Sequence, residues 1–347
     1  MTPGMTPVDL RSDFLARPTD AMLAAADGAR DSRHFGLRED PWQRRLEARV
    51  AELTGHEDAL VFPTCTMANT AALLLHAPPG SRVITQADAH VFLSEAGAGA
   101  AFGGLTLRPL AAAGAMPPLD NWQRALAEAG DAQRPAVRLC VLENTHNRTG
   151  GTPLPVDYVN GVVALAKSAG VKAHLDGARL FDAAHALGTT TVELASAFDS
   201  VSVSLNKGFG APIAAALAAS TATIAAALPL RQRLGGGLRP TGPSAAATFT
   251  GLADLTHFAT VHALAARLAE GLRDNPKLRV EDMRVRTSMV IAHVAAPLDA
   301  TSACALFAEQ GLLALPFDAS RIRFVVYRGI VADDIERAIL AARVALR

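Results

Sequence analysis

Three short polar segments follow apolar, β-branched runs of the sequence and carry side chains that could do chemistry. The first, Thr64-Cys65-Thr66, stands between the run at 59–62 and a helix-like segment at 67–76. Hydroxyl groups and free backbone N–H groups at a helix N-terminus bind anions such as phosphate. A plain helix N-cap explains the same residues. The segment therefore predicts either a helix cap or a phosphate site.

The second and third segments place ionisable groups at the ends of apolar strands. Asp176 ends the run at 171–175, and an aspartate there is costly to bury without a cationic partner. That partner could be Arg179 or a protonated heterocyclic nitrogen. Lys207 stands between the run at 200–205 and a glycine turn, and a desolvated lysine can act as a nucleophile that forms a Schiff base.

Together, the three segments contain the groups needed to hold pyridoxal phosphate. A helix start would bind the phosphate, Asp176 would keep the pyridine nitrogen protonated, and Lys207 would carry the aldehyde. Other motifs fit less well. The glycines at 97 and 99 begin a dinucleotide-binding pattern that lacks its third glycine, and the sequence has no P-loop, GxSxG or HExxH motif.

The order of apolar runs and helical segments predicts the fold that must position these groups. Strand-like runs alternate with helix-like segments, which favours a mainly parallel sheet between helices. The predicted strands are 59–62, 82–85, 137–142, 171–175 and 200–205, and the predicted helices include 67–76, 156–169 and 180–187. A helical stretch at 245–274, strands at 288–294 and 322–327, and a closing helix at 333–346 predict a small α+β domain.

These patterns predict three parts of the chain. Residues 1–50 form an N-terminal arm and a helix at 41–54, residues 51–245 a large cofactor-binding α/β domain, and residues 246–347 a small C-terminal α+β domain. The 347 residues carry 33 basic and 33 acidic side chains and half are apolar, so we expect neither a nucleic-acid nor a membrane-surface partner. Residues 1–5 do not resemble a signal peptide, and we expect a cytoplasmic protein.

The ordered motifs resemble those of the low-specificity threonine aldolases, in the β-eliminating lyase group of fold-type I pyridoxal-phosphate enzymes. The matching segments are DLRSD (9–13), EDP (39–41), TMAN (66–69), His90 with Glu95 and Gly97, ENTHN (143–147), HLDGAR (174–179), KGFGAP (207–212), and GGG (235–237) with Arg239. The resemblance implies a large domain with a mainly parallel sheet between helices, and a small C-terminal α+β domain. It also implies cleavage of a β-hydroxy-α-amino acid such as threonine or allo-threonine to glycine and an aldehyde.

The resemblance also implies roles for individual residues. Lys207 would form the Schiff base, Asp176 would pair with the pyridine nitrogen, and His90 would stack on the ring. Thr64, Cys65, Thr66 and Asn206 would bind the cofactor, and Arg179 would bind either the cofactor or the substrate carboxylate. Ser12 and a C-terminal arginine would bind the substrate carboxylate. Arg239 would bind the phosphate of the cofactor in a neighbouring subunit. Alternation over residues 320–328 places Arg323 on the side opposite the apolar face. Arg321 lies on the same side as Arg323 and is the alternative candidate. No metal ligand is expected.

Several positions depart from the family pattern. Cys65 stands where the family has a glycine, Asn206 where it has a serine, and Ser288 where it has an asparagine. Where the family has a tyrosine in an aromatic loop, Phe35 is the nearest aromatic residue of this sequence. A family histidine that contacts the substrate β-hydroxyl has no counterpart at 131–139. The natural substrate and the base for the β-hydroxyl therefore stay open.

Two rival functions also stay open. One is β-elimination or racemisation of a bulkier or aromatic amino acid on the same scaffold, and the other is a non-catalytic cofactor-binding or assembly protein. The resemblance implies a homo-oligomer, a dimer or tetramer, whose active site lies at a subunit interface.

Overall fold

A computed structural model of the chain describes residues 6–128 and 133–347. Two segments lie outside the described residues: 1–5, which are not expected to be a signal peptide, and 129–132, which include the start of the segment lacking the family histidine. The strands are β1 (Val8–Asp9), β2 (Asp58–Phe62), β3 (Arg82–Gln86), β4 (Thr106–Leu110), β5 (Val137–Glu143), β6 (Lys172–Gly177), β7 (Ser200–Ser204), β8 (Ala215–Ala219), β9 (Leu278–Val280), β10 (Met289–Val294), β11 (Leu312–Leu313), β12 (Leu315–Pro316) and β13 (Arg321–Val325).

The helices are spread over the whole chain. They are α1 (Asp20–Gly28), α2 (Pro41–Thr54), α3 (Cys65–His76), α4 (His90–Leu93), α5 (Ala98–Gly103), α6 (Leu119–Ala127), α7 (Val156–Ser168), α8 (Leu180–Leu187), α9 (Thr191–Ala195), α10 (Thr221–Arg233), α11 (Gly242–Gly251), α12 (His257–Arg273), α13 (Ala300–Glu309) and α14 (Ala332–Ala345), with short 3-10 helices at Asp13–Leu15 and Asn147–Thr149. Within the described residues, no helix is both long and apolar enough to cross a membrane.

The chain divides into two compact units. Unit 1 combines the described part of Met1–Arg17 with Lys207–Gly210 and Asp254–Arg347, and unit 2 combines Pro18–Asn206 with Ala211–Ala253.

Unit 2 is built on a seven-stranded sheet of order β2-β8-β7-β6-β5-β3-β4. The five strands from β7 to β4 are parallel, whereas β8 is antiparallel to both of its neighbours. Five of the seven strands match the predicted runs, and most neighbouring strands are parallel. Both observations confirm the predicted α/β class with a mainly parallel sheet. Parallel strands direct their carboxyl ends to one edge of a sheet, where ligands bind in this class of fold.

The sequence analysis does not identify β4 and β8. The β8 segment is almost all alanine and does not show the β-branched composition typical of strands. All five of its residues are buried between β2 and β7. The β4 segment contains Pro109, which a sheet tolerates because β4 is its edge strand.

Helix α2 begins and ends where the sequence predicts. Asp40 caps its N-terminus by accepting hydrogen bonds from the backbone N–H groups of Trp42 and Gln43, and Pro41 occupies the first helical position. The helix ends at Gly55, which adopts the left-handed conformation that favours glycine.

Unit 1 contains an antiparallel sheet of order β12-β13-β10-β9 and a two-stranded parallel sheet of β1 and β11. Helices α12, α13 and α14 contribute to its core, which also buries Val8 and Leu10 of the N-terminal arm. The single helical stretch predicted at 245–274 is wrong, because α11 ends at Gly251 and α12 begins at His257. Between them, Asp254 accepts bonds from the N–H and hydroxyl of Thr256, and such local bonds compete with a continuous helix.

Candidate active site

The predicted phosphate segment lies at the N-terminus of α3, directly after β2. Thr64 is the N-cap residue, and its Oγ1 accepts a hydrogen bond of 3.1 Å from the backbone N–H of Met67. Cys65 and Thr66 are the first two residues of the helix. The plain capping interpretation therefore applies to Thr64, and the segment stands at a helix N-terminus, a place that suits an anion.

A hydrogen-bonded cluster lies at the end of β6. Asp176 is only 1% exposed, and its Oδ1 accepts a bond of 3.2 Å from the backbone N–H of Ala178. Its Oδ2 accepts a bond of 2.9 Å from the side-chain amide of Asn69, which also donates to Glu95 Oε1 at 2.8 Å. Glu95 Oε1 in turn lies 2.9 Å from His90 Nδ1. Thus, Asp176, Glu95 and His90 belong to one network.

The backbone around His90 is held by a second carboxylate. Glu143, at the end of β5, accepts bonds from the N–H groups of His90 (2.6 Å) and Asn147 (2.9 Å). Burial lowers the pKa of His90, but the hydrogen bond that His90 donates to Glu95 and the charges of three nearby carboxylates outweigh it, so the pKa is raised overall. Burial and the nearby charge of Asp176 raise the pKa of Glu95, against the lowering effect of its bonds to His90 and Asn69.

His90, Glu95 and Asp176 each offer a ligand atom, and these atoms lie within 4.8 Å of one another, which is a set that could hold a metal ion. However, hydrogen bonds already engage one nitrogen of His90, one oxygen of Glu95 and both oxygens of Asp176. We therefore assign the three residues to the hydrogen-bonded network.

Lys207 belongs to unit 1 and comes three residues after the end of β7. It is 9% exposed, and its Nζ lies 5.1 Å from the centre of the Phe14 ring. The following Gly208 has a φ of 74° and donates its N–H to the carbonyl of Asp13 at 3.3 Å. Gly210 has a φ of 72°, and a Cβ there would lie 2.3 Å from the carbonyl oxygen of Arg17. The turn after Lys207 therefore packs against the N-terminal arm and requires glycine.

The two candidates for a substrate carboxylate also lie in unit 1. Ser12 caps the 3-10 helix Asp13–Leu15, and Arg323 is 8% exposed and donates from Nη2 to the carbonyl of Arg11 at 3.2 Å. Arg321 instead forms an ion pair of 2.5 Å with Asp318. Of the two arginines, Arg323 and not Arg321 therefore lies next to the arm that carries Ser12.

The remaining predicted residues are spread over unit 2. Arg179 is buried and is the N-cap residue of α8. Asn206 accepts a bond of 2.8 Å from the hydroxyl of Ser204. Arg239 is exposed, and its guanidinium lies 5.3 Å from the ring centre of Phe35, which is itself 86% exposed. The structure therefore does not bring Arg239 into the cluster around Asp176.

Sequence reasoning did not assign roles to Asn69, Glu95 and Glu143, although all three lie in the matching motifs. Each is a polar residue that the structure buries, and each bonds to His90 or Asp176. Their position in TMAN, in the His90–Glu95 segment and in ENTHN was the available signal.

The donor set of these residues fits pyridoxal phosphate. Asp176 is a buried carboxylate at a strand end, which suits a protonated ring nitrogen, and α3 offers N–H and hydroxyl donors that suit a phosphate. Lys207 supplies a largely buried amine at a turn that only glycine can make. His90 supplies an aromatic ring that the Glu95 and Glu143 bonds hold in place.

A sequence model of the beta-eliminating lyase family matches residues 9–297. The low-specificity L-threonine aldolase 1 of Arabidopsis thaliana is 38% identical over 339 residues, which cover 95% of this chain and 94% of that protein. The low specificity L-threonine aldolase of Escherichia coli K12 is 35% identical, over 83% of this chain and 84% of its own length.

Solved structures show the same fold. The threonine aldolase of Leishmania major superposes with a TM-score of 0.83, covering 98% of this chain and all of that one, at 19% identity.

Proposed function

The chain belongs to the beta-eliminating lyase family, among the low-specificity L-threonine aldolases, and we propose that it cleaves a β-hydroxy-α-amino acid with pyridoxal phosphate. The products would be glycine and an aldehyde, and the substrate would be of the threonine or allo-threonine type. The observation that carries the proposal is the buried Asp176 carboxylate, held in one hydrogen-bonded network with His90.

When bound, pyridoxal phosphate acts as an electron sink for the Cα–Cβ bond of the amino acid. In this proposal, Lys207 provides the amine that holds the cofactor covalently. Asp176 provides the negative charge that keeps the ring nitrogen protonated. Thr64, Cys65 and Thr66 bind the phosphate at the N-terminus of α3.

Substrate binding falls to Ser12 and Arg323. An arginine makes two parallel hydrogen bonds to a carboxylate, and Arg323 is held next to the arm by the Arg11 carbonyl. The protein must also take the proton of the β-hydroxyl. Because His90 Nδ1 faces Glu95, Nε2 is the His90 atom that can exchange a proton with a substrate. A water molecule or another nearby residue is the alternative, since geometry decides which group acts.

A substrate panel tests the proposal. Purified protein supplied with pyridoxal phosphate is incubated with threonine, allo-threonine and phenylserine, and glycine and the aldehyde are measured. We expect glycine and aldehyde in equal amounts from at least one of the three. Formation of ammonia and a keto acid without glycine would contradict aldol cleavage.

Elimination or racemisation on the same scaffold is the second candidate. The observation that favours it is the absence of a histidine at 131–139, the position at which the threonine aldolases carry one. Such a protein would release ammonia, or invert the substrate at Cα, and would not make glycine.

The proposed site also includes a second copy of the chain. Arg239 is exposed and comes shortly after three glycines, and in this proposal its guanidinium binds a phosphate in another subunit. Mixing Arg239→Ala and Lys207→Ala protomers tests this arrangement. Because mixed dimers would put both lesions into one site and leave the other intact, activity should partly return. No recovery after verified subunit exchange would place Arg239 in its own subunit's site or outside catalysis.

A further inference from the structure

Asn69 lies between the two buried carboxylates of the cluster and donates to both. Its Nδ2 is 2.9 Å from Asp176 Oδ2 and 2.8 Å from Glu95 Oε1. An amide nitrogen carries two hydrogens, so one serves each carboxylate. Asn69 is completely buried, and its amide therefore replaces the solvation that the two carboxylates lose.

The orientation of this amide is set at its other end. Asn69 Oδ1 lies 2.5 Å from Ser202 Oγ and 3.2 Å from His174 Nε2. An amide oxygen can only accept, so both neighbours must donate to it. In the reverse orientation, the amide oxygen would face the two carboxylates, and each carboxylate would lose the hydrogen bond that it accepts from Asn69, which is costly in a buried site.

The hydrogen bond from His174 sets the direction of a longer chain. Burial and the nearby charge of His76 lower the pKa of His174 to about 3, so its ring is neutral at pH 7 and has one N–H. Because that hydrogen is on Nε2, Nδ1 must accept from Ser200 Oγ, 2.8 Å away. Ser200 Oγ in turn accepts from His76 Nε2 at 2.9 Å. The hydrogen bonds therefore run in one direction. His76 donates to Ser200, Ser200 to His174, His174 to Asn69, and Asn69 to Asp176.

We propose that Asn69 and His174 are positioning residues for Asp176. His174 holds the Asn69 amide in the orientation that donates to Asp176 and Glu95, and Asn69 in turn holds the Asp176 carboxylate that would pair with the ring nitrogen of the cofactor. This inference rests on the proposed function, because it assigns the network a purpose toward pyridoxal phosphate.

The physical reason is the closeness of two buried negative charges. Two neighbouring carboxylates without donors repel each other, and the pair lowers its energy by taking up a proton. The two N–H groups of Asn69 offset the repulsion, since each carboxylate receives one of them and hydrogen bonds to carboxylates are strong.

Four variants of the full-length protein test the inference. Asn69→Leu removes both donors at similar volume, and His174→Leu removes the donor to Asn69. His174→Gln keeps an amide hydrogen that can reach Asn69. The matched control is Gln43→Leu, since Gln43 is another buried amide of unit 2. It donates to Glu47 at 2.8 Å and accepts from Thr241 at 2.8 Å.

Two readouts are independent of turnover. One is the dissociation constant for pyridoxal phosphate by equilibrium dialysis, and the other is the rise in melting temperature when the cofactor saturates the protein. We expect Asn69→Leu to raise the dissociation constant about tenfold to a hundredfold and to lose most of the rise in melting temperature, because bonds to charged groups are worth that much. His174→Leu should weaken binding about tenfold, and His174→Gln should restore most of the affinity.

The control separates positioning from general loss of stability. Gln43→Leu should melt at a lower temperature and keep the wild-type dissociation constant. Wild-type affinity in Asn69→Leu, equal affinity in the two His174 variants, or an equal loss in Gln43→Leu would overturn the inference. If Asn69→Leu does not fold, the pair of His174 variants decides. A wild-type protein that does not bind pyridoxal phosphate would instead overturn the proposed function, and the inference with it.

Discussion

The buried histidine at the centre of the sheet should make the protein sensitive to mild acid. His174 is completely buried, and desolvation together with the charge of His76 lowers its pKa from 6.5 to about 3. At pH 5 the folded chain therefore keeps His174 neutral, whereas the unfolded chain protonates it. Because the unfolded state binds more protons, the free energy of unfolding falls as the pH falls below 6.5.

The size of the effect follows from the two pKa values. Between pH 7 and pH 5, a histidine with a pKa of 6.5 unfolded and about 3 folded costs about 2 kcal/mol of stability. His76, whose pKa burial lowers to about 4, adds a loss of the same sign. The His174→Gln variant does not titrate. We expect it to lose about 2 kcal/mol less than the wild type between these pH values, whatever its stability at pH 7.

Urea unfolding at pH 7 and pH 5 measures this difference. The protein concentration is kept constant and cofactor is omitted, since both change apparent stability by mass action. His34→Gln is the control, because His34 is exposed and should leave the pH dependence as in the wild type. Equal losses in the wild type and in His174→Gln would refute the account of His174 as a neutral, buried donor.

The remaining predictions concern the site itself. Asp176→Asn should keep some cofactor but lose most turnover, since a neutral amide cannot stabilise a protonated ring nitrogen, and steady-state kinetics with near-normal turnover would contradict this. Arg323→Ala should raise KM for the amino acid about tenfold or more, because a bond to a carboxylate is lost, whereas Arg321→Ala should leave KM nearly unchanged since Arg321 pairs with Asp318. The reverse ranking of the two KM values would assign the carboxylate to Arg321.

The sequence was sufficient for the class of fold and for the positions of four of the five parallel strands. Strands rich in β-branched residues, such as β7 with its SVSVS sequence, carry their own signal. The alanine-rich β8 does not, because its conformation is imposed by the strands on both of its sides. Likewise, the break between α11 and α12 depends on local bonds made by Asp254, which an apolar pattern does not reveal.

The site shows the same division. Asp176 and Lys207 were identified from the sequence because an ionisable group at the end of an apolar strand is unusual. Asn69 and Glu95 were not, since a polar residue in a helix or loop gives no sign of burial by itself. Their importance comes from contacts across long sequence separations, such as the 107 residues between Asn69 and Asp176.

If Lys207 holds pyridoxal phosphate covalently, borohydride reduction should attach the cofactor permanently to this residue. The wild-type protein is incubated with the cofactor, reduced, digested and examined by mass spectrometry. We expect one cofactor-labelled peptide, containing Lys207, and loss of the visible absorbance band on reduction. Lys207→Ala should stay folded but give neither the band nor turnover. A label on another lysine, or an active Lys207→Ala variant, would refute this role of Lys207.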